Sequence, residues 1–277
     1  MRLFKRRGKK PQTPPLVTPT CRIGITPYPG MYPAKTLALR PQAVRFTLEG
    51  RWDPTWLKER VAEIRAAVPD CEVYVLLQDH HPPPDVAAWL NIVSQRLRLL
   101  PEVTGWILGN ELSASKYWEV PREAYVPWFV EFADMVHSES NAKVIAAGQT
   151  RGEIMHERQI EWVTAVGGYT DAWCLHLHGP PESIAEPILR MRELSPGKPI
   201  YVDELTGTLS ASLAQQEAEM RGLFSEAARA GAEMACYIPP DSREVYGRWQ
   251  PNSLLDADGQ ERPTYWIMKD LIAKARR

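Results

Sequence analysis

The sequence predicts an α/β protein built as a single (β/α)8 TIM barrel, and three observations carry that expectation. Eight short apolar runs alternate with longer amphipathic segments from residue 21 to the C-terminus. Several runs, such as VYVLL at 73–77, are apolar at every position, which suits strands covered by helices in a parallel sheet. Eight such units fill the roughly 250 residues this barrel requires. A doubly wound open sheet is the competing fold, but no GxGxxG follows the first run.

The strand candidates are CRIGI (21–25), AVRFTLEG (43–50), CEVYVLLQD (71–79), VTGWILGNE (103–111), AKVIAAG (142–148), AWCLHLH (172–178), PIYVDE (199–204) and AEMACYI (232–238). Between the first two, TPYPGMYPAKTLALRP is too rich in proline for a full helix and predicts a short helix or a loop. Asp53 and Pro54 suit an N-cap and first helical position, and Leu57, Val61, Ile64 and Val68 then follow at helical spacing. The same period recurs in Val86, Leu90, Val93, Leu97 and Leu100. It returns in Leu213, Met220, Phe224 and Ala227 up to Gly231, and in Tyr265, Met268, Leu271 and Ile272. Pro127 predicts a kink or a late helix start in the fourth helical segment. Trp89, Trp162 and Trp266 fall in helical patterns and are expected in the core.

The domain is expected to span residues 21–277, preceded by a disordered, basic, Pro-rich leader over residues 1–20. The first ten residues hold six Lys or Arg, which leaves 27 basic against 34 acidic residues in the remainder. No apolar segment follows those charges as a secretory signal would need, and no stretch reaches the roughly eighteen apolar residues of a membrane span. The expectation is a soluble, cytoplasmic protein without nucleic acid in the barrel, with non-secretory export and oligomeric state left open. Cys21, Cys71, Cys174 and Cys236 have no metal spacing and read as buried thiols.

In such a barrel the C-terminal strand ends converge on one face, where active sites lie. WILGNE ends the fourth strand on Asn110 and Glu111, and PIYVDE ends the seventh on Glu204. Two carboxyl groups facing across the mouth are the machinery of glycoside hydrolysis, provided their pKa values differ. Arg45 on the second strand is the candidate that keeps Glu204 ionised. Strand alternation points Asp203 away from the face of Glu204, which predicts a structural role. Aromatic residues in predicted loops on this face, Tyr28, Tyr32, Trp52, Tyr117, Trp118, Tyr246 and Trp249, suit stacking on sugar rings.

The sequence resembles the clan of retaining glycosidases on (β/α)8 barrels that carries Asn-Glu after strand four and Glu after strand seven. The resemblance implies Asn110 on a sugar hydroxyl, Glu111 as acid/base and Glu204 as nucleophile. It also implies substrate-site roles for Arg45 in VRF, His80 in LLQDHH, and His176 and His178 in CLHLHGP. The clan's cellulase-like members usually have Pro after the acid/base, where this chain has Leu112. Strand eight lacks the clan's frequent tryptophan, and Tyr237, Tyr246 or Trp249 are the candidates to replace it. The expected partner is an oligo- or polysaccharide, with no cofactor and no metal. A non-catalytic carbohydrate-binding barrel is the alternative, followed by a metal-dependent hydrolase using His80, His81, His176, His178 and Asp203.

Overall fold

The computed structural model describes residues 21–27, 33–49, 54–113, 119, 121–208, 212–239, 253–256 and 259–277. The leader, Trp118, Trp249, and the aromatics Tyr28, Tyr32, Trp52, Tyr117 and Tyr246 lie outside the described residues. Strands and helices alternate along the chain. The strands are β1 (Arg22–Ile25), β2 (Ala43–Glu49), β3 (Glu72–Gln78), β4 (Gly105–Leu108), β5 (Lys143–Ile145), β6 (Gln149–Thr150), β7 (Trp173–His178), β8 (Ile200–Thr206) and β9 (Met234–Tyr237). The helices are α1 (Pro33–Leu39), α2 (Thr55–Ala67), α3 (Val86–Leu99), α4 (Tyr125–Glu139), α5 (Arg151–Met155), α6 (Gln159–Val166), α7 (Ala185–Leu194), α8 (Leu213–Ala230) and α9 (Pro263–Ala275).

The strands form one curled, parallel nine-stranded sheet in the order β5-β4-β3-β2-β1-β9-β8-β7-β6. This corrects the expected closed ladder of eight strands. The predicted fifth strand, 142–148, is realised only as β5, because Ala146, Ala147 and Gly148 leave the ladder; the other edge strand, β6, begins just past its predicted end. The break has a local cause. Ala146 N–H donates to Thr170 Oγ1 at 3.1 Å and Ala147 N–H to the Tyr125 hydroxyl at 3.1 Å, so side chains stand where a neighbouring strand would pair. Isolated parallel bridges, Ile145 to Ala172 and Asn110 to Gly148, span the interruption on its two sides.

Alternation along the strands sorts the core into two clusters. Val73, Val75 and Leu77 of β3 face the helices, whereas Tyr74 and Leu76 join Ala43, Ile107, Cys174, Tyr201, Met234 and Cys236 in a separate interior cluster. Apolar runs without polar alternation follow from burial on both faces. Gly24 fits this crowded interior because a Cβ there would lie 2.5 Å from Cys236 Sγ and 2.6 Å from the Ala43 carbonyl.

The helices follow the predicted spacing. Leu57, Val61 and Ile64 are the buried face of α2, and Trp89, Val93 and Leu97 that of α3. Pro54 is the N-cap of α2 rather than its expected first helical position, so the helix starts one residue later than expected, and Asp53 lies outside the described residues. α1 is the short helix the prolines predict. α4 starts late, with Pro127 in its first turn behind a 3-10 turn at Arg122–Ala124. Ser212 and Gln215 close a capping box on α8, and Gly231 ends that helix at φ 89°. Trp266 departs from its expected core position. It is 54% exposed on the outer side of α9, with Lys269 Nζ 4.8 Å from its ring centroid, because Tyr265 and Met268 already supply the buried face. No helix among the described residues is long and apolar enough to cross a membrane. Cys71, Cys174 and Cys236 are buried free thiols, and Cys21 is half-buried.

Candidate active site

Three interior positions rise one layer above the apolar cluster. Ala43, Cys174 and Tyr201 belong to that cluster, and the residues two further along each strand are Arg45, His176 and Asp203. A spacing of two keeps a side chain on the same face of a strand. All three are buried, at 2%, 2% and 0% exposure.

Glu204 reaches the same place by a different route. Val202 pairs with Leu175 of β7 and Ala235 of β9, but Glu204 pairs with the very next residue of β7, His176, and Leu205 pairs with Tyr237 of β9. β8 therefore carries one extra residue against both neighbours, a β-bulge, and consecutive side chains no longer alternate across it. This overturns the expectation that Asp203 turns away from Glu204. Arg45 Nε donates to Asp203 Oδ2 at 3.0 Å, Arg45 Nη2 donates to Glu204 Oε1, and Arg45 Nη1 donates to Thr47 Oγ1 at 2.7 Å.

The end of β4 is shaped by backbone strain. Gly109 (φ 83°) and Glu111 (φ 41°) both adopt the left-handed region, which for a glutamate costs roughly 1–2 kcal/mol. Three hydrogen bonds hold the turn. The Tyr125 hydroxyl donates to the Leu108 carbonyl at 2.5 Å, Glu111 N–H donates to the Gly148 carbonyl at 2.9 Å, and Ser113 N–H donates to Glu153 Oε1 at 2.9 Å. The result turns the Glu111 carboxylate to His176, whose Nδ1 lies 2.9 Å from Oε1.

His176 joins the two glutamates. Its Nδ1 is also 3.6 Å from Glu204 Oε2, and its Nε2 is 3.3 Å from Asp203 Oδ1. One carboxylate oxygen of Glu111, one of Glu204 and a ring nitrogen of His176 all lie within 4.8 Å of one another. Burial opposes charge on His176, but Glu204 and Asp203 outweigh it and hold the imidazole pKa well above the ordinary value. Burial likewise opposes ionisation of Glu204, yet His176 and Arg45 together keep its carboxyl far below the usual range. Asp203 is lowered by the same two cations against its own burial. Burial pushes the Cys174 thiol up, and the charge of Asp203 adds to that.

Two donor sets, Glu111–His176–Glu204 and Cys174–His176–Asp203, are close enough to suggest a cation. Their chemistry argues for an ion-paired network instead. Arg45 already brings a permanent positive charge onto Asp203 and Glu204.

The other predicted residues divide. Asn110 is buried at 5% and its side-chain Oδ1 has no partner, beside the acid that follows it. His178 stands at the exposed end of β7 with Nε2 3.4 Å from Glu204 Oε2, its ring stacked at 6.5 Å on that of His176. His80 and His81 face Glu119 instead, at 3.9 and 3.8 Å, and neither is in a donor cluster with His176. Tyr237 is buried in the helix-facing core beside Thr206 and Glu219. Sequence reasoning gave Asp203 a structural role without its partners and passed over Gly148. A Cβ on Gly148 would lie 2.1 Å from His176 Nε2, so only glycine leaves room for that ring.

No family model and no curated protein sequence matches the chain. Solved structures share its fold at low identity. A glucosidase from Croceicoccus marinus superposes with a TM-score of 0.73 at 12% identity over 93% of this chain, which spans 66% of that protein's length. A GH128 exo-β-1,3-glucanase from Aureobasidium namibiae gives 0.64 at 12% identity over 92% of this chain and 98% of its own. A thermostable mutant of a xylanase from Cellvibrio japonicus gives 0.63, also at 12%, over 92% and 98%. The likeness is one of fold: helices alternating with a curled parallel sheet of the barrel type.

Proposed function

We propose that the chain is a retaining β-glycosidase, with Glu204 as nucleophile and Glu111 as acid/base, acting on an oligo- or polysaccharide. The observation that carries this reading is the approach of the Glu111 and Glu204 carboxylate oxygens to within 4.8 Å, with Arg45 clamped on Glu204. Retaining enzymes need carboxyl groups about 5–5.5 Å apart, whereas inverting enzymes leave about 6.5–9.5 Å for water. Residues 21–277 are read as a single catalytic domain.

In the first step the ionised Glu204 attacks the anomeric carbon while Glu111 passes its proton to the departing glycosidic oxygen. Water then attacks the glycosyl ester, giving its proton to Glu111 and releasing Glu204. His176 occupies one oxygen of Glu111 and leaves the other to carry the proton. Asn110 Oδ1, buried and unpartnered, is placed to accept from a sugar hydroxyl. Proton NMR of the first-formed product of an aryl β-glycoside tests the reading. The β-anomer is expected, and initial release of the α-anomer contradicts retention.

A further inference from the structure

We propose that Asp203 is a positioning residue that keeps His176 a cation, whose Nδ1–H is shared between Glu111 and Glu204 and follows the negative charge from one to the other. This rests on the glycosidase reading above. Both ring nitrogens of His176 face carboxylates, Nδ1 in a hydrogen bond to Glu111 Oε1 at 2.9 Å and Nε2 in an ion-pair approach to Asp203 Oδ1 at 3.3 Å that lacks hydrogen-bond alignment. A neutral imidazole has one donor and one acceptor nitrogen, so it would turn a lone pair on one of these carboxylates. Only the imidazolium presents an N–H, and a positive charge, to both.

The surroundings leave the ring little choice. Gly148 packs against its Nε2 edge, Cys174 and His178 flank it on β7, Asp203 and Glu204 face it from β8, and Glu111 faces it from the end of β4. Arg45 of β2 reaches it through Asp203, whose Oδ2 accepts from Arg45 Nε while Oδ1 is directed at His176. Asp203 is thus a fixed counter-charge for two cations beneath the glutamates, and it does not touch the substrate side.

That placement has a use in double displacement. Before the first step the charge that matters is on Glu204. Once the glycosyl ester forms and Glu111 has given up its proton, the charge is on Glu111 instead. A cation fixed on one residue alone, as Arg45 is on Glu204, serves only that residue's charged state. Nδ1, at 2.9 Å from Glu111 and 3.6 Å from Glu204, lies between both and serves each in turn.

The test is NMR of protein carrying labelled histidine, wild type and Asp203→Asn, combined with pH profiles of kcat and KM on an activated aryl glycoside. In the wild type, His176 is expected to stay doubly protonated at pH values above the ordinary histidine range, about 6.5. In Asp203→Asn, His176 should titrate at lower pH. A nearby opposite charge is worth a factor of about ten to a thousand in protonation ratio, so kcat near neutrality should fall at least about tenfold with KM little changed. Part of that loss should return at lower pH. Wild-type His176 titrating within the ordinary histidine range overturns the proposal without any variant having to fold. So does an Asp203→Asn protein with the wild-type imidazole titration and pH profile. If the NMR result is as expected but no glycoside is turned over, the cation stands and the glycosidase reading fails.

Discussion

Asp203 and Glu204 are consecutive in sequence, yet both carboxylates face the guanidinium of Arg45. In a regular strand they would point to opposite faces, and the bulge in β8 is what brings them together. The fold buries Asp203 completely and leaves Glu204 slightly more open, at 0% and 9% exposure.

Arg45→Met should therefore do more damage than loss of a surface charge. Removing one partner of a buried ion-paired set leaves the others uncompensated, at a cost of about 3–5 kcal/mol. Urea unfolding should show that loss, and a protein of wild-type stability would contradict the central place of Arg45. Arg45→Lys keeps the charge but cannot span Asp203, Glu204 and Thr47, so it should recover more stability than activity.

Gly148→Ala tests the geometry of His176 without touching a charge. The added methyl would sit 2.1 Å from Nε2, so the ring must move away from Asp203 or Glu111. The expected outcome is a fall in kcat of about tenfold or more, as misplacing a group by an ångström can cost up to about a hundredfold. Wild-type kinetics in this variant would mean the imidazole position is not required.

Tyr125→Phe removes a hydroxyl that ties the Leu108 carbonyl to Ala147 N–H across the interrupted edge of the sheet. Two buried backbone groups lose a partner, each at about 1–3 kcal/mol. Thermal unfolding should register this, and activity should fall because the left-handed Glu111 turn is anchored at Leu108. An unchanged midpoint would assign the support of that turn elsewhere.

The pH dependence of stability follows from the same cluster. Asp203 and Glu204 have lowered carboxyl pKa values, so their contribution is complete above the ordinary carboxylate range and lost as pH falls through the lowered values. His176 has a raised pKa, so its contribution is complete below the ordinary histidine range and is lost progressively as pH rises from that range to the raised value. A midpoint measured against pH should therefore begin to fall on entering the ordinary histidine range and keep falling above it. A midpoint that stays flat across and above that range would show that His176 is not held as a cation.

Much of this was legible in the sequence, for identifiable reasons. Strands buried on both faces left apolar runs that ended abruptly on Asn110, Glu111 and Glu204, and the helices showed their spacing in residues such as Leu57, Val61 and Ile64. What escaped depends on one-residue events. Alternation cannot register an extra residue, although two consecutive acids in the otherwise apolar YVDEL were a signal that it had to fail. The break at Ala146–Gly148 arises from hydrogen bonds to Thr170 and Tyr125, which lie far off in sequence. Trp266 was misplaced because helical spacing alone does not distinguish the centre of a buried face from its neighbour.

The central claim is that Glu204 forms a glycosyl ester, and chemical rescue tests it most directly. Glu204→Ala assayed on an activated aryl β-glycoside should be inactive alone and regain turnover with added azide, yielding the α-glycosyl azide. A mutant that retains turnover, or that azide rescues to the β-azide, would contradict the account.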